Sequence, residues 1–410
     1  MSSMLSRQIM MRYLRGKRGA NAVPLLSRIS MIAIAVSACA MVILFSVFNG
    51  LGLVIKDRYK AFYPDIRMVA AKGKFFSLEE QQMQRLKNVT GISQLSTTIE
   101  DNVLMNNEGQ DNQVISIKGV DNAFFEVNDF RPYIVAGEKS LNMQGEPGAI
   151  VGGLIMEQMG MEVGQGMNTI TVHYPNVKNT NPSLNPTSAF TSLYLKPAGE
   201  FKVMDEFDQR YIIAPLPLVQ QLIQTEGKYS TIEIKLKEGA NPDKVKAEIQ
   251  KITGNTYKVE TRYEQNRTLY MVINTEKWAM YAILVLVLVI ASFNMIGALS
   301  LLVIEKQKDI AILKAMGAAQ PTIRNIFIGE GLLWSLAGGL SGIVVGLLLC
   351  LGQQQFEWIK MSGFIIDAYP VDIVFTDVLL VIATIVVVGI LAAWYPSQKA
   401  LKTEMSGLKS

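Results

Sequence analysis

Apolar residues gather into four runs along the chain, and polar residues separate them in a way that predicts membrane helices. Ile29–Asn49, Trp278–Ile304 and Gly331–Leu351 contain no charged side chain, and Val374–Tyr395 is nearly as apolar. Each is about as long as the roughly 20 residues a helix needs to cross a hydrocarbon core. Between the first and second runs lies a long stretch with a different rhythm. Asp65–Ala70, Val114–Gly119, Asn168–His173, Leu193–Leu195 and Thr231–Leu236 read as strands. Leu78–Asn88 reads as a helix. So does Pro242–Ile252, with Asn241 as its N-cap and Pro242 at its first position.

The predicted architecture is a membrane α-helical bundle of four transmembrane helices. A large α+β extracytoplasmic domain is inserted between the first and second. Its parts are a basic amphipathic segment (1–28), transmembrane helix 1 (29–50), an outer domain (51–277) and transmembrane helix 2 (278–304). A coupling segment (305–325), transmembrane helix 3 (326–351), a short loop (352–373), transmembrane helix 4 (374–395) and a tail (396–410) follow. Thr231–Glu260 has a β-α-β pattern with a weaker counterpart at 65–105. The outer domain is therefore expected to be a split β-α-β part, about 60–119 and 216–270, around a β-rich insert at about 120–215.

Charge sets the expected orientation. Residues 1–28 carry six Lys/Arg and no acid, 305–325 carries four, and Lys399, Lys402 and Lys409 follow the last run. The 352–373 loop has only Lys360, against Glu357, Asp367 and Asp372. By the positive-inside rule both termini and the 305–325 turn are cytoplasmic, and the outer domain lies across the membrane. The basic start also suits a signal peptide. The first run is too long for one, and no small-residue cleavage site follows it, so a retained anchor is expected.

Composition removes several chemistries. Half the residues are hydrophobic, and the two cysteines, Cys39 and Cys350, sit inside apolar runs, which argues against a disulfide framework. His173 is the lone histidine, no clustered metal-ligand spacing occurs, and no phosphate-cradling G-x-x-x-x-G-K-[ST] motif is present. No catalytic residues and no metal site are expected, nothing points to nucleic acid, and any ATP driving this protein is bound by another chain.

Three features invite a function. The first is the stretch Glu305-Lys-Gln-Lys-Asp-Ile-Ala-Ile-Leu-Lys-Ala-Met-Gly317. It alternates charged and apolar positions at helical spacing, with Ile310, Leu313, Met316 and Gly317 on one stripe and Lys306, Lys308 and Lys314 off it. Gly317 is placed to end that helix and Pro321 to start the next. The second is the third run, where Gly338, Gly342 and Gly346 form one row at four-residue spacing. Gly331, Ser335 and Gly339 form another, and both rows allow close backbone approach. The third is Tyr174–Phe190, with three prolines and four asparagines between strand-like runs. A loop of that length is usually functional or disordered.

The 305–319 stretch resembles the cytoplasmic coupling segment of FtsX/MacB-type ABC-transporter permeases. Arg12-Tyr-Leu-Arg-Gly-Lys-Arg, Ser46-Val-Phe-Asn-Gly-Leu, Tyr369-Pro-Val-Asp-Ile and Trp394-Tyr-Pro-Ser-Gln-Lys-Ala are similar to the lipoprotein-releasing, Lol-type members. Phe48 stands where that group usually has Met, and Leu51-Gly52 where it has Phe-Glu. The resemblance implies a bacterial inner-membrane complex of two permease chains, alike or paralogous, and a cytoplasmic ABC ATPase dimer holding ATP and Mg. Its cargo is a lipoprotein, passed to a periplasmic carrier. It also implies site roles. Glu305, Lys308, Ile310, Leu313, Lys314, Met316 and Gly317 would couple to the ATPase. Ile32, Val36, Met41, Met280, Leu284 and Met295 would line an acyl-chain cavity between the first two spans. Tyr174, Val177, Pro182, Leu184, Pro186 and Phe190 would belong to a carrier-docking hook. The alternatives are a MacB-like exporter of peptides or antibiotics, and an FtsX-like regulator of periplasmic wall enzymes.

Overall fold

A computed structural model describes residues 23–106, 112–143, 146–163, 169–176, 189–360 and 368–401. In chain order these form α1 (Val23–Tyr59), β1 (Ile66–Ala70), α2 (Glu80–Lys87), β2 (Ile92–Asn106) and β3 (Gln113–Val120). Next come β4 (Ile134–Gly137), β5 (Asn142–Met143), β6 (Glu146–Gly152), α3 (Gly153–Met159), β7 (Ile170–Pro175) and β8 (Phe190–Phe201). Then β9 (Tyr211–Pro215), α4 (Leu216–Ile223), β10 (Thr231–Leu236), α5 (Pro242–Thr253) and β11 (Tyr257–Thr261) complete the sheet region. The chain ends with α6 (Arg267–Glu305), α7 (Gln307–Ala315), α8 (Gln320–Phe356) and α9 (Phe375–Leu401). It divides into a helical unit, up to Val54 and from Met271, and an α/β unit, Ile55–Tyr270.

The helical unit contains four helices long and apolar enough to span a bilayer: α1, α6, α8 and α9. At 1.5 Å per residue, the 37 residues of α1 and the 39 of α6 reach well beyond a hydrocarbon core of about 30 Å. Met41, Phe45, Leu288, Leu299, Trp334 and Ile385 belong to its buried core. Helix α8 is central because each of its two glycine rows takes a different neighbour. Ideal Cβ atoms on Gly338, Gly342 and Gly346 would lie 2.5, 2.1 and 3.1 Å from the carbonyl oxygens of Met31, Ala35 and Cys39 on α1. On the other row, Gly331 meets Ala393 and Gly339 meets Ile385 of α9, while Gly389 of α9 lies against Ser335. Only hydrogen side chains permit such backbone approach, so dispersion contacts and Cα–H···O contacts hold these helices together.

The α/β unit holds two substructures. In the first, β1-α2-β2 and β10-α5-β11 interleave, giving the strand order β11-β1-β10-β2 with every adjacent pair antiparallel. Ile66, Met68, Leu86, Ile234, Val245 and Ile249 are buried in its core. Asn241 caps α5 as its sequence predicts, its Oδ1 accepting from the amides of Asp243 and Lys244 at 3.0 and 3.2 Å.

The second substructure is a closed ring of six strands: β2-β3-β9-β6-β8-β7 and back to β2. It closes because the 15-residue β2 pairs with β10 along its first half and with β7 along its second. The sequence reading starts the insert at about 120, whereas the ring draws in β2 and β3 and begins inside β2. Short strand-like runs conceal this, since a strand that changes partner partway keeps one continuous alternation. Val103, Ile115, Ile155, Val172, Ile212 and Val219 are buried in this part. A separate aromatic cluster includes Phe62 and Phe207, stacked at 4.3 Å, and Phe130 and Phe201 at 5.1 Å. A buried ion pair joins Lys118 of β3 to Glu233 of β10 at 2.6 Å, with Asn128 donating to the same carboxylate.

Candidate functional site

The turn between α6 and α8 is built by local rules. Helix α7 ends at Ala315, Gly317 takes a φ of +83°, and Pro321 lies in the first turn of α8. The amides of Gly317 and Ala318 donate to the carbonyls of Lys314 and Leu313, both at 3.0 Å, closing the end of α7. Lys314 Nζ donates to the carbonyl of Leu401 at 3.0 Å, which fastens the turn to the end of α9.

The apolar stripe read from the sequence does not face outward as one surface, and this corrects the expectation. Ile310 is 2% exposed and belongs to the same buried cluster as Leu302, Ile323 and Ala400, so its partner is the chain's own bundle. Leu313 is half-buried. The exposed apolar side chains are Met316, at 76%, and Ile312, at 52%, four residues apart and so on one helical face. Glu305 and Lys308 are also exposed. Ile312 was missed because periodicity locates a stripe and says nothing about which stripe the bundle covers.

The six residues proposed to line an acyl cavity are not brought together. Met41 and Met295 are fully buried and Leu284 nearly so, all three in the helical core, with Met280 packed against it. Ile32 and Val36 are each 63% exposed on the surface of α1. The physical reason is that α1 turns its Met41 face inward and its Leu25, Ile29, Ile32 and Val36 face outward, so one helix cannot offer both sets to one slot. On α6, Ile283, Leu286, Ile290, Phe293 and Asn294 are exposed.

The Asn/Pro-rich loop connects the two strands of a hairpin. Strands β7 and β8 pair in continuous register from Ile170↔Leu195 to Pro175↔Phe190, and the amide of Asn176 donates to the Ala189 carbonyl at 2.8 Å. Val177, Pro182, Leu184 and Pro186 lie outside the described residues. The hairpin end itself is pinned from two sides. Tyr174 Oη donates to Asp101 at 2.8 Å, and burial together with that bond pushes the phenol pKa up to about 12. Gln224, which takes a φ of +59° just after α4, donates to Asn176 Oδ1 at 2.9 Å and to Thr191 Oγ1 at 2.8 Å. Phe190 is exposed and meets His173 edge-on at 6.4 Å. Asp101 and Gln224 carried no sequence signal, because each acts across more than 30 residues. Among the described residues no three His, Cys, Asp or Glu side chains gather to hold a metal ion.

Residues 27–252 match the MacB-like periplasmic core domain, and residues 281–405 match the FtsX-like permease C-terminal region. The chain is 25% identical over 414 aligned positions to the lipoprotein-releasing system transmembrane protein LolE of Haemophilus influenzae, covering 96% of each. It is 26% identical to the LolC protein of Neisseria meningitidis, again covering 96% of each. An uncharacterized ABC transporter permease of Methanocaldococcus jannaschii is 26% identical over 49% of this chain and 51% of its own length.

Proposed function

Because this chain belongs to the FtsX/MacB-type family of ABC-transporter permeases, we propose that it is the membrane subunit of a complex that extracts lipoproteins from a bacterial inner membrane. The observation that carries the reading is the match along nearly the whole of two relatives named as lipoprotein-releasing transmembrane proteins. Energy comes from ATP and Mg on a separate ATPase dimer, and a second permease, a copy or a paralogue, completes the membrane part. In this reading both termini and the 305–319 turn are cytoplasmic and residues 51–277 are periplasmic. A single cysteine at Asn181, in a chain lacking Cys39 and Cys350, then reacts with an impermeant thiol reagent in cells with a permeabilised outer membrane. One at Gln307 does not, and the opposite pattern would overturn the orientation.

Each candidate site takes a role consistent with its surroundings. Ile312 and Met316, with Glu305, Lys308 and the Gly317 turn, dock on the ATPase, since two exposed apolar side chains one turn apart bury readily in a groove. The outward row Ile32 and Val36 supplies the acyl-facing surface of α1. The hairpin pinned at Tyr174 and Gln224 presents the 177–188 loop to a soluble carrier. The test is purification of the native complex and reconstitution with an acylated lipoprotein and a carrier. ATP-dependent transfer of the lipoprotein is expected. A complex that hydrolyses ATP in step with export of a peptide or antibiotic, and moves no lipoprotein, would overturn the reading.

A further inference from the structure

Helix α8 runs past its apolar stretch and ends in a turn that displays apolar side chains. Phe356, Trp358 and Ile359 are all exposed. The turn is nevertheless firmly built. Glu357 takes a φ of +49°, its amide donates to the Gln353 carbonyl at 3.0 Å, and this left-handed residue reverses the chain. The reversal lays the Trp358 ring on Gly352, whose ideal Cβ would stand 2.6 Å from it, and stacks it on Phe356 at 5.7 Å. Gln353, itself buried, closes the turn. Its Oε1 accepts from the Ile359 amide at 3.0 Å, and its Nε2 donates to the carbonyls of Ile359 and Tyr369 at 2.9 and 3.3 Å. The Tyr369 amide donates to the Ile359 carbonyl as well, at 2.9 Å. Ile359 thus has both backbone polar groups satisfied, which lets it leave bulk water without the cost of an unpaired donor or acceptor.

Position says what covers these side chains. Val345, Leu349, Gly352 and Phe356 recur at helical spacing, and Val345 and Leu349 are exposed, so the aromatic pair continues the outward face of α8. That helix is long and apolar enough to cross a bilayer, and lipid tails are the natural cover of its outward face. At 1.5 Å per residue, Phe356 stands about 7.5 Å beyond Leu351, the last residue of the apolar run, with Trp358 folded back toward it. The headgroup layer is roughly 5–7 Å deep on each side of the hydrocarbon, so the pair falls within its span. Two other helices carry exposed aromatics at the same level. Gln354 Nε2 donates to the Val371 carbonyl at 2.8 Å, which sets the end of α8 beside the start of α9, where Phe375 is exposed. Lys277 of α6 binds Asp377 of α9 at 2.8 Å and Asn49 of α1 at 3.0 Å, and the next residue, Trp278, is exposed too. A protein partner would cover one side of the bundle, whereas a bilayer meets the ends of α6, α8 and α9 together. Aromatic rings are favoured in that layer, and Glu357 and Lys360, both exposed, can keep their charges in water.

We propose that the Phe356–Ile359 turn is a membrane-interface anchor, with Phe356, Trp358 and Ile359 seated among the phospholipid headgroups at this end of α8. Gln353 and Gly352 are its positioning residues: the first ties Ile359 to the helix, and the second leaves room for the Trp358 ring. The anchor fixes the height of α8 in the bilayer, and with it the height of the helices packed on its glycine rows. It holds whichever cargo the chain moves.

The test uses the full chain, with the subunits that copurify with it, in vesicles of phosphatidylethanolamine and phosphatidylglycerol. Ile359→Cys, in a chain carrying Cys39→Ser and Cys350→Ser, takes a nitroxide label, and the same preparation without Ile359→Cys gives the background. Power saturation compares collisions of the label with oxygen, which concentrates in lipid, and with a nickel chelate, which stays in water. A label on Glu238→Cys, in an exposed turn of the α/β unit, is the water reference. The oxygen-to-nickel ratio at 359 is expected to exceed that reference at least threefold. A ratio equal to the reference means that the turn stands in water and overturns the anchor. Protection from both reagents means that a second copy or another protein covers the turn, and overturns it equally. A second measurement needs no cysteine. Lipids brominated near the glycerol end of their chains should quench tryptophan emission less in Trp358→Phe than in the parent, and equal quenching would refute the proposal.

Discussion

Replacing Gly342 by Ala tests the packing of α8 on α1 with the smallest change available. The added Cβ would lie 2.1 Å from the Ala35 carbonyl oxygen and 2.8 Å from both the Ala35 carbonyl carbon and Cα. All three are backbone atoms of a helix, so no side chain can swing aside. An ordinary contact requires the helices to part by about 1 Å. A gap of that size forfeits a quarter to a half of each dispersion contact along the seam. Overpacking of this kind costs about 1–3 kcal/mol, and the rigidity of the obstacle puts Gly342→Ala at the upper end, about 2–3 kcal/mol. Gly338→Ala, with 2.5 Å to Met31 O, should follow, and Gly346→Ala, with 3.1 Å to Cys39 O, should cost least. Two controls separate space from conformation. Gly297 has nothing within 4 Å of its ideal Cβ, so Gly297→Ala should not destabilise, and helix propensity should favour Ala by up to about 1 kcal/mol. Gly317 is equally open but has a φ of +83°, so Gly317→Ala should cost roughly 1–2 kcal/mol through backbone strain alone. Reversible unfolding in mixed micelles, followed by circular dichroism, measures the series. If Gly342→Ala matches the parent within about 0.5 kcal/mol, α1 and α8 do not approach each other this closely.

Three further expectations follow from separate sites. Ile312→Asp or Met316→Asp should leave the chain assembled but uncouple ATP hydrolysis from cargo, while Ile310→Asp should unfold the bundle, because a carboxylate there has no water; pull-down with the ATPase and a stability assay would contradict this if the two classes behaved alike. Asp208 is buried and accepts from the Val203 amide at 2.8 Å, and desolvation raises its pKa to about 6. A folded pKa above the unfolded one makes the site most favourable below about pH 4, with on the order of 3 kcal/mol lost as pH rises through about 6. Asp208→Asn should flatten that part of the stability–pH curve, and an unchanged curve would show that the carboxyl is not desolvated. Replacing 176–187 with a Gly-Ser bridge should keep assembly and basal ATP hydrolysis while abolishing carrier binding, and normal hand-over of lipoprotein would make the loop decoration.

What the sequence determined by itself was local. Long apolar runs marked four spanning helices because a bilayer admits nothing else of that length. Asn241-Pro242 and Gly317 with Pro321 marked helix ends because caps act within a few residues. Two glycine rows on α8 announced close packing. Tertiary structure alone decided which helix each row meets, that β2 changes partner midway and so closes a ring, and that Asn49, Lys277 and Asp377 converge from three helices. It also decided that Ile310 turns inward while Ile312 and Met316 turn out, and that Met41 and Ile32 lie on opposite faces of one helix. The reason lies in the solvent. In water, the buried face of a helix is apolar and the other polar, so periodicity names the inside. In a bilayer, lipid tails are as apolar as leucine, both faces are written in the same residues, and only the packed neighbours say which is which.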